Sequence, residues 1–501
     1  MIIKSTPEDC VLYAFYDLAV NPNSFDFSKF LVLAELYRKE GKFTEIHIII
    51  TPDKNGWARS DDHHDSDQQE WRLRNILMPI LSLIPSIKSH TIFSSRSQAT
   101  KFEQVVKKNI FPEGHSVANP KSMFEWADIA LAAPRGIPSF SAAPQARKYA
   151  QRWIKERANG RKVVSLTFRE MDQQPHRNNN HKAWIQFARR LDTQQYYPVV
   201  IRDTHFALNI PDQSFENINF FSEAAFNLEL RIGFYEECYL NLFANNGPAE
   251  LALLNTKVAC LFFTTNSGVI TKEVPDYAIG YREEHPVVGP HQHTVWDRDS
   301  LEILEKEFQN MVLRLEKNKT KILSYRNQNI LGHPKVDELK LCAILVRGGK
   351  FNQASILINK LEKIKKFSKS QAEFYRGMAS LGARMLPKAI NFIQHAIDQD
   401  GTVYEYHQGM SKACLQNGEV ERAIKHMRLL LKFSNHPIHA NIQLAMTLNL
   451  IGELDEAEEL MDNCLENNII NSSILRTLAQ IAKQKGNLKK AVILELRARD
   501  L

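Results

Sequence analysis

Several short polar stretches of this chain carry side chains suited to holding a charged ligand. The clearest is Asn246-Gly247-Pro248-Ala249-Glu250, set before the β-branched, apolar run Val258–Phe263. Pro248 suits the start of a helix, where its missing N–H is not needed. Asn246 can cap that helix, Gly247 lets a ligand approach the backbone, and the open N–H groups attract an anion. A diphosphate is the natural occupant; an ordinary Gly-Pro turn before a helix is the alternative. Arg169-Glu170 follows Val163–Phe168, and Arg202-Asp203-Thr204 follows Tyr196–Ile201, with Arg177-Asn178 in the loop between. An arginine fork can hold phosphate oxygens, and a carboxylate such as Glu250 or Asp203 can accept from hydroxyls. Each arginine taken singly also fits a surface ion pair. Asp17 ends the apolar run Val11–Tyr16, where its local chemistry is that of a turn-starting aspartate capping nearby N–H groups.

The elements that must position these residues alternate in type. Val11–Tyr16, Glu45–Thr51 and Ser89–Ser94 read as strands, and Phe27–Lys39, Trp71–Ile84 and Ala99–Lys108 as helices. A second series begins near residue 160, after the amphipathic helix Gln145–Asn159. It runs through strand Val163–Phe168, helix Trp184–Leu191 and strand Tyr196–Ile201, then helix Phe234–Ala244, short helix Ala249–Leu254 and strand Val258–Phe263. Strands separated by helices imply βαβ units and parallel sheets covered on both faces. Ligands of such sheets sit at the carboxyl ends of the strands, which is where Arg169, Glu170, Arg177, Arg202 and Asp203 fall. A helix from Ser300 to about Lys317 closes this part.

The turn Asn246–Leu253 resembles the diphosphate-binding turn of GT-B glycosyltransferases, particularly the Gly-Pro-x-x-Leu-Ala helix start of the heptosyltransferase-like group. Asn246 stands where that group usually has Thr or Ser, and Glu250 where it has His, which leaves the donor sugar open. Strand-Thr-x-Arg-Glu, then Arg-Asn, then strand-Asp-Thr is similar to bacterial GT-B sugar transferases of surface-glycan loci. The resemblance implies two Rossmann-like domains, 1–155 on the acceptor side and 156–317 on the nucleotide-sugar side, with the closing helix packed across both. It implies a general base at Asp17 and a phosphate ligand at Arg169. Glu170, Arg177, Asn178, Asp203, Thr204 and Asn246–Glu250 then surround the donor. No cofactor beyond the nucleotide-diphosphate sugar and no metal is expected, since no Asp-x-Asp sits at a strand end.

The run Asp61-Asp62-His63-His64-Asp65-Ser66-Asp67 has metal-ligand residue types. Adjacent loop positions cannot all converge on one ion, so it reads as a solvated loop capping the next helix. His291 and His293 read as part of a Pro/His-rich surface loop. The net charge of +7 is spread without a long basic run, which argues against a nucleic-acid partner. The six cysteines are far apart and read as reduced core thiols of a cytosolic protein. No apolar stretch is long enough to span a bilayer, so the expected location is cytoplasmic, at most peripheral to the inner membrane.

The last third repeats. Ala354, Ala389, Ala423, Ala457 and Ala491 recur at spacings of 35, 34, 34 and 34. Twelve residues before each stands a small residue (Cys342, Gly377, Ser411, Ala445, Ala479), and five before most a glycine, Arg384 being the exception. This is the tetratricopeptide pattern, which predicts a helical superhelix over 335–501 for protein binding or self-association, with an uncovered final face. The expected fold is therefore α/β followed by all-α. The expected activity is metal-independent transfer of a sugar to a protein or surface-glycan acceptor. A catalytically decayed transferase serving as a scaffold, and a sugar-nucleotide epimerase or hydrolase of the same fold, are the alternatives.

Overall fold

The computed structural model describes residues 10–54, 56–57, 64–106, 108–171, 178–209, 215–264, 285, 287–331, 338–433, 438–466 and 472–499. These fall into two compact units, an α/β unit ending at residue 331 and an all-helical unit beginning at residue 338.

The α/β unit holds two all-parallel sheets. The first contains β1 (Val11–Asp17), β2 (Glu45–Thr51), β3 (Ile87–Ile92) and β4 (Ile110–Phe111), in the order β3-β2-β1-β4. After a short β5 (Ile137–Pro138), the second contains β6 (Lys162–Thr167), β7 (Tyr196–Ile201), β8 (Asn219–Phe220), β9 (Leu240–Phe243), β10 (Cys260–Phe263) and β11 (Gln292–Val295). Its order is β11-β10-β9-β6-β7-β8. Numbered from β6, this is the doubly wound 3-2-1-4-5-6 order read backwards, and the chain reverses direction between β6 and β9. Its core is formed by strand residues such as Leu166, Leu242 and Leu261, packed against Trp184 and Phe187 of one helix and Phe308 and Met311 of another.

Three expectations need correction here. The stretch Phe234–Ala244 is not one helix: a helix covers Leu228–Glu237, and Leu240–Phe243 is β9, a central strand whose four residues are all buried. A strand covered on both faces is apolar at every position, so no alternation separates it from the apolar helix before it. His291 is not on a surface loop; it is fully buried beside β11, which adds an edge strand to the sheet. The closing helix Leu301–Lys317 packs on the second sheet's core, and β12 (Ile330–Leu331) makes the return instead. It pairs antiparallel with β5, which lies against the helix Phe27–Glu40 of the first half.

The expected boundary at 155 falls inside the helix Pro144–Ala158, which packs on Leu228–Glu237. Gly233 permits this approach: a Cβ there would meet the backbone of Ala146 and Arg147.

The helical unit consists of antiparallel hairpins from Glu338–Arg347 to Leu488–Arg499, tetratricopeptide-like in period and packing. All five signature alanines are fully buried. Gly349, Gly418, Gly452 and Gly486 have φ of +70° to +87°. That left-handed geometry at the inter-helix turn is what glycine supplies without strain. Arg384, the sequence exception, adopts it too, with φ +57°. In the last helix Leu488, Val492, Ile493 and Leu496 are each about half exposed or more.

Candidate functional site

The carboxyl ends of β6 and β9 flank the point where the second sheet reverses, and the chain leaves them as Phe168-Arg169-Glu170 and Ala244-Asn245-Asn246. Arg169 is buried. Its Nη1 donates to Asn178 Oδ1 at 2.6 Å, and its backbone N donates to Asn179 Oδ1 at 2.9 Å. Asn178 also exchanges hydrogen bonds with the Met171 backbone, so the loop around Arg169 is clamped. Arg177 lies outside the described residues.

Glu170 does not stand open to a ligand. Arg202 grips it with Nε at 3.0 Å from both carboxylate oxygens and Nη2 at 2.6 Å, while the Arg202 guanidinium lies over Phe206 and Phe215. The Glu170 carboxylate also accepts from Asp203 N. Asp203 in turn accepts from Thr204 N and weakly from Glu170 N; burial pushes its carboxyl above the ordinary value, against the pull of these bonds and of Arg231. Thr204 Oγ1 donates to Ala225 O. The helix after β6, His181–Arg190, is already served by a carboxylate at its N-terminus: Asp299 accepts from Asn180 N and from Trp184 Nε1, both at 2.7 Å.

The Gly-Pro turn forms as expected at its cap. Asn246 is the N-cap of Gly247–Leu253 and accepts from Ala249 N at 3.2 Å, while its Nδ2 reaches Thr167 O of β6 at 3.5 Å. Gly247 is the first helical residue and Pro248 the second. Gly247 has a job that the sequence did not show: a Cβ there would overlap the ring of Phe25, so the glycine makes room for that side chain. Pro248 and Ala249 are buried. Glu250 accepts from Lys29 Nζ at 3.0 Å, and Lys29 also bonds Asp26 at 2.7 Å. Burial pushes the Glu250 carboxyl above its ordinary value, with Lys29 pulling it back. The start of this helix is therefore covered by the β1–Phe27 turn of the first half.

Gly247→Ala is expected to destabilise the α/β unit by about 1–3 kcal/mol through overpacking against Phe25. Adding Phe25→Ala should cost less than the two single changes summed, because the clash is then gone. Urea midpoints of the four proteins check this; additive losses would show that the ring is not what the glycine accommodates.

Asp17 is fully buried at the end of β1, and Arg96 holds it bidentately at 2.7 and 3.0 Å. Its Oδ1 also accepts from Ala19 N, the local capping role that the turn position suggests. Arg96 uses its other N–H groups on Pro52 O and Val117 O. His115 follows β4, the strand beside β1 at the first sheet's own reversal point, and its ring stacks on Phe15 at 5.2 Å. Burial pushes its pKa down to about 4, with Asp17 acting the other way and Arg96 reinforcing burial. None of the hydrogen bonds described for Asp17 reaches the two clusters on the second sheet.

Arg96, His115, Lys29 and Asp299 were not singled out from the sequence. Lys29 alone carried a usable signal, a lysine between Phe27 and Phe30 on an apolar helix face. In the acidic loop, Asp65 caps Ser66–Arg72 in a capping box with Gln68, and residues 58–63 lie outside the described set. Among the described residues no group of three or more His, Cys, Asp or Glu could hold a metal ion, and no helix is long and apolar enough to cross a membrane. All six cysteines are free thiols, five of them buried.

No family model matches the chain, and no curated protein matches it. Similar solved structures include MamA of MSR-1, 13% identical, covering 31% of this chain and 89% of its own, with a TM-score of 0.28. YrrB, a TPR protein with an unusual peptide-binding site, is 16% identical over 32% of this chain and 84% of its own, at 0.29. TTC0263, a thermophilic TPR protein of Thermus thermophilus, is 17% identical over 33% of this chain and 89% of its own, at 0.27.

Proposed function

We propose that the α/β unit is a GT-B-like, metal-independent glycosyltransferase using a nucleotide-diphosphate sugar, and that the helical repeats bind a protein or another copy. One observation carries the reading. The second sheet has the doubly wound strand order, and its reversal point is flanked by Arg169 and Asn246. Open α/β sheets bind ligands at that crevice. Arg169, oriented by Asn178, supplies positive charge for the diphosphate and for the departing nucleotide. Asn246 and the clamped loop after β6 offer hydrogen bonds to the same ligand. Stacked helical hairpins present an extended surface of the kind that holds a polypeptide. The acceptor is a protein or a surface glycan, and the work is done on the cytoplasmic side.

A second reading is favoured by a specific observation. Phe25 fills the space before Gly247, Arg96 occupies both oxygens of Asp17, and Arg202 occupies Glu170. A decayed transferase acting as a scaffold accounts for these closed contacts.

Thermal-shift titration with a panel of nucleoside diphosphates separates the two. For a transferase, ligand at about a hundred times its Kd adds roughly 2.7 kcal/mol of stability, and the melting point rises. Arg169→Ala should then weaken binding about ten- to a hundred-fold, the value of a charged hydrogen bond. A flat response across the panel would leave the scaffold.

A further inference from the structure

We infer that the first helical hairpin of the repeat unit docks on an anionic lipid surface. Along one stripe of the helix Phe351–Lys363 and its end stand Ile356, Lys360, Lys363 and Ile364. Ile356 is 70% exposed and Ile364 50%. They lie two turns apart, about 12 Å, on the side that also carries the lysines. A shallow groove of about 430 Å³ is lined by these four residues and Asn359. The turn that follows adds Lys365 and Lys366, and Lys369 opens the next helix.

Local carboxylates do not neutralise the patch. Glu338 is shared between Lys360 and Lys366, at 2.7 Å from each. Glu362 is taken by Arg376. Lys363, Lys365 and Lys369 are exposed and pair with no carboxylate among the described residues.

The chemistry of the patch selects a membrane over an acidic protein. Protein interfaces are enriched in aromatic residues and arginine and depleted in lysine. This patch offers lysine and isoleucine. Lysine is a compact, hydrated point charge without a fork to match a particular carboxylate, so it suits a diffuse layer of headgroups. A cluster of lysines draws the element to an anionic leaflet, and exposed aliphatic side chains beside it add apolar contact with the bilayer boundary. The surface is independent of the proposed active site and stands whether or not the α/β unit is an enzyme.

Flotation of the full-length protein with vesicles tests this. It is expected to bind phosphatidylglycerol-containing vesicles and not pure phosphatidylcholine, with affinity falling as salt rises. Replacing Lys363, Lys365 and Lys369 together by Gln should weaken binding roughly a hundred-fold, about five-fold per lysine. These side chains are exposed, so circular dichroism should be unchanged. Ile356→Ser should lower binding without altering its salt dependence. Failure to bind the anionic vesicles at low salt, equal binding to both lipids, or binding that survives the triple change would each overturn the inference. So would capture by an acidic protein in the absence of any vesicle binding.

Discussion

Replacing Lys29 by methionine should destabilise the α/β unit by about 3–5 kcal/mol, the usual loss when one member of a buried ion pair is removed. The Lys29 side chain is 2% exposed. Its ammonium lies 2.7 Å from Asp26, 3.0 Å from Glu250 and 4.9 Å from the centre of the Trp126 ring. Burial works against its charge, but Glu250 and Asp26 prevail and raise the pKa above the ordinary 10.5. A base held above its unfolded value contributes stability that is fully present below that value. The pairing is therefore complete throughout the neutral range and is lost only as pH rises through the raised pKa. Methionine keeps much of the volume and removes the charge, leaving Glu250, only 22% exposed, without its cation. The Asp26 side chain, 40% exposed, is left to water and loses less. Lys29→Met with Glu250→Gln should recover most of the loss, because the stranded charge is then gone. All six tryptophans lie before residue 297, so tryptophan fluorescence in urea reports on this unit alone. An unchanged midpoint in the single variant would show that the ammonium is not holding the two halves together.

That contact also shows where the sequence can be read and where it cannot. The repeats were legible because a single constraint recurs: two helices approach closely only over small residues, and their turn needs a left-handed residue. Ala389 and Gly377 satisfy the first locally. The Asn246 cap was legible for the same reason, since donor and acceptor lie three residues apart. The partners that close the candidate site are remote in sequence. Phe25 meets Gly247, Lys29 meets Glu250, and Arg96 meets Asp17 across 79 positions. Local pattern marks an acidic or glycine residue as available and cannot say which distant side chain takes it. β9 failed differently, because burial on both faces erases the alternation that would have distinguished it from a helix.

Mild acid should unfold the α/β unit before the repeats. Burial, the leading cause in every case, holds four histidines well below the ordinary 6.5: His115 at about 4, His285 at about 3, His291 at about 3 and His426 at about 4. Positive neighbours add to this, Arg96 at His115, Lys29 at His285, Arg326 at His291 and Arg422 at His426. Above pH 6.5 each is neutral in both states and favours neither. Below it the unfolded chain takes up protons that the folded one refuses, so stability is lost as pH falls toward the folded values. Each refused proton is worth about 1.4 kcal/mol per pH unit. Three of these histidines are in the α/β unit and one in the repeats, so the histidines alone contribute up to about 4 and about 1.4 kcal/mol per pH unit. Against a domain stability of about 5–15 kcal/mol, the histidine contribution is a large share of what the α/β unit has to lose. Glu250, Asp203 and Asp299 act in the opposite sense: burial raises their carboxyls, so folding favours their protonation and offsets part of the loss at the acid end. The expected result is a tryptophan-fluorescence transition at higher pH than the loss of helical circular dichroism, which the repeats dominate. His291→Phe removes one refused proton and should move the fluorescence transition to lower pH. If both signals fell together, or that variant left the transition in place, buried neutral histidine would not be the source of the acid sensitivity.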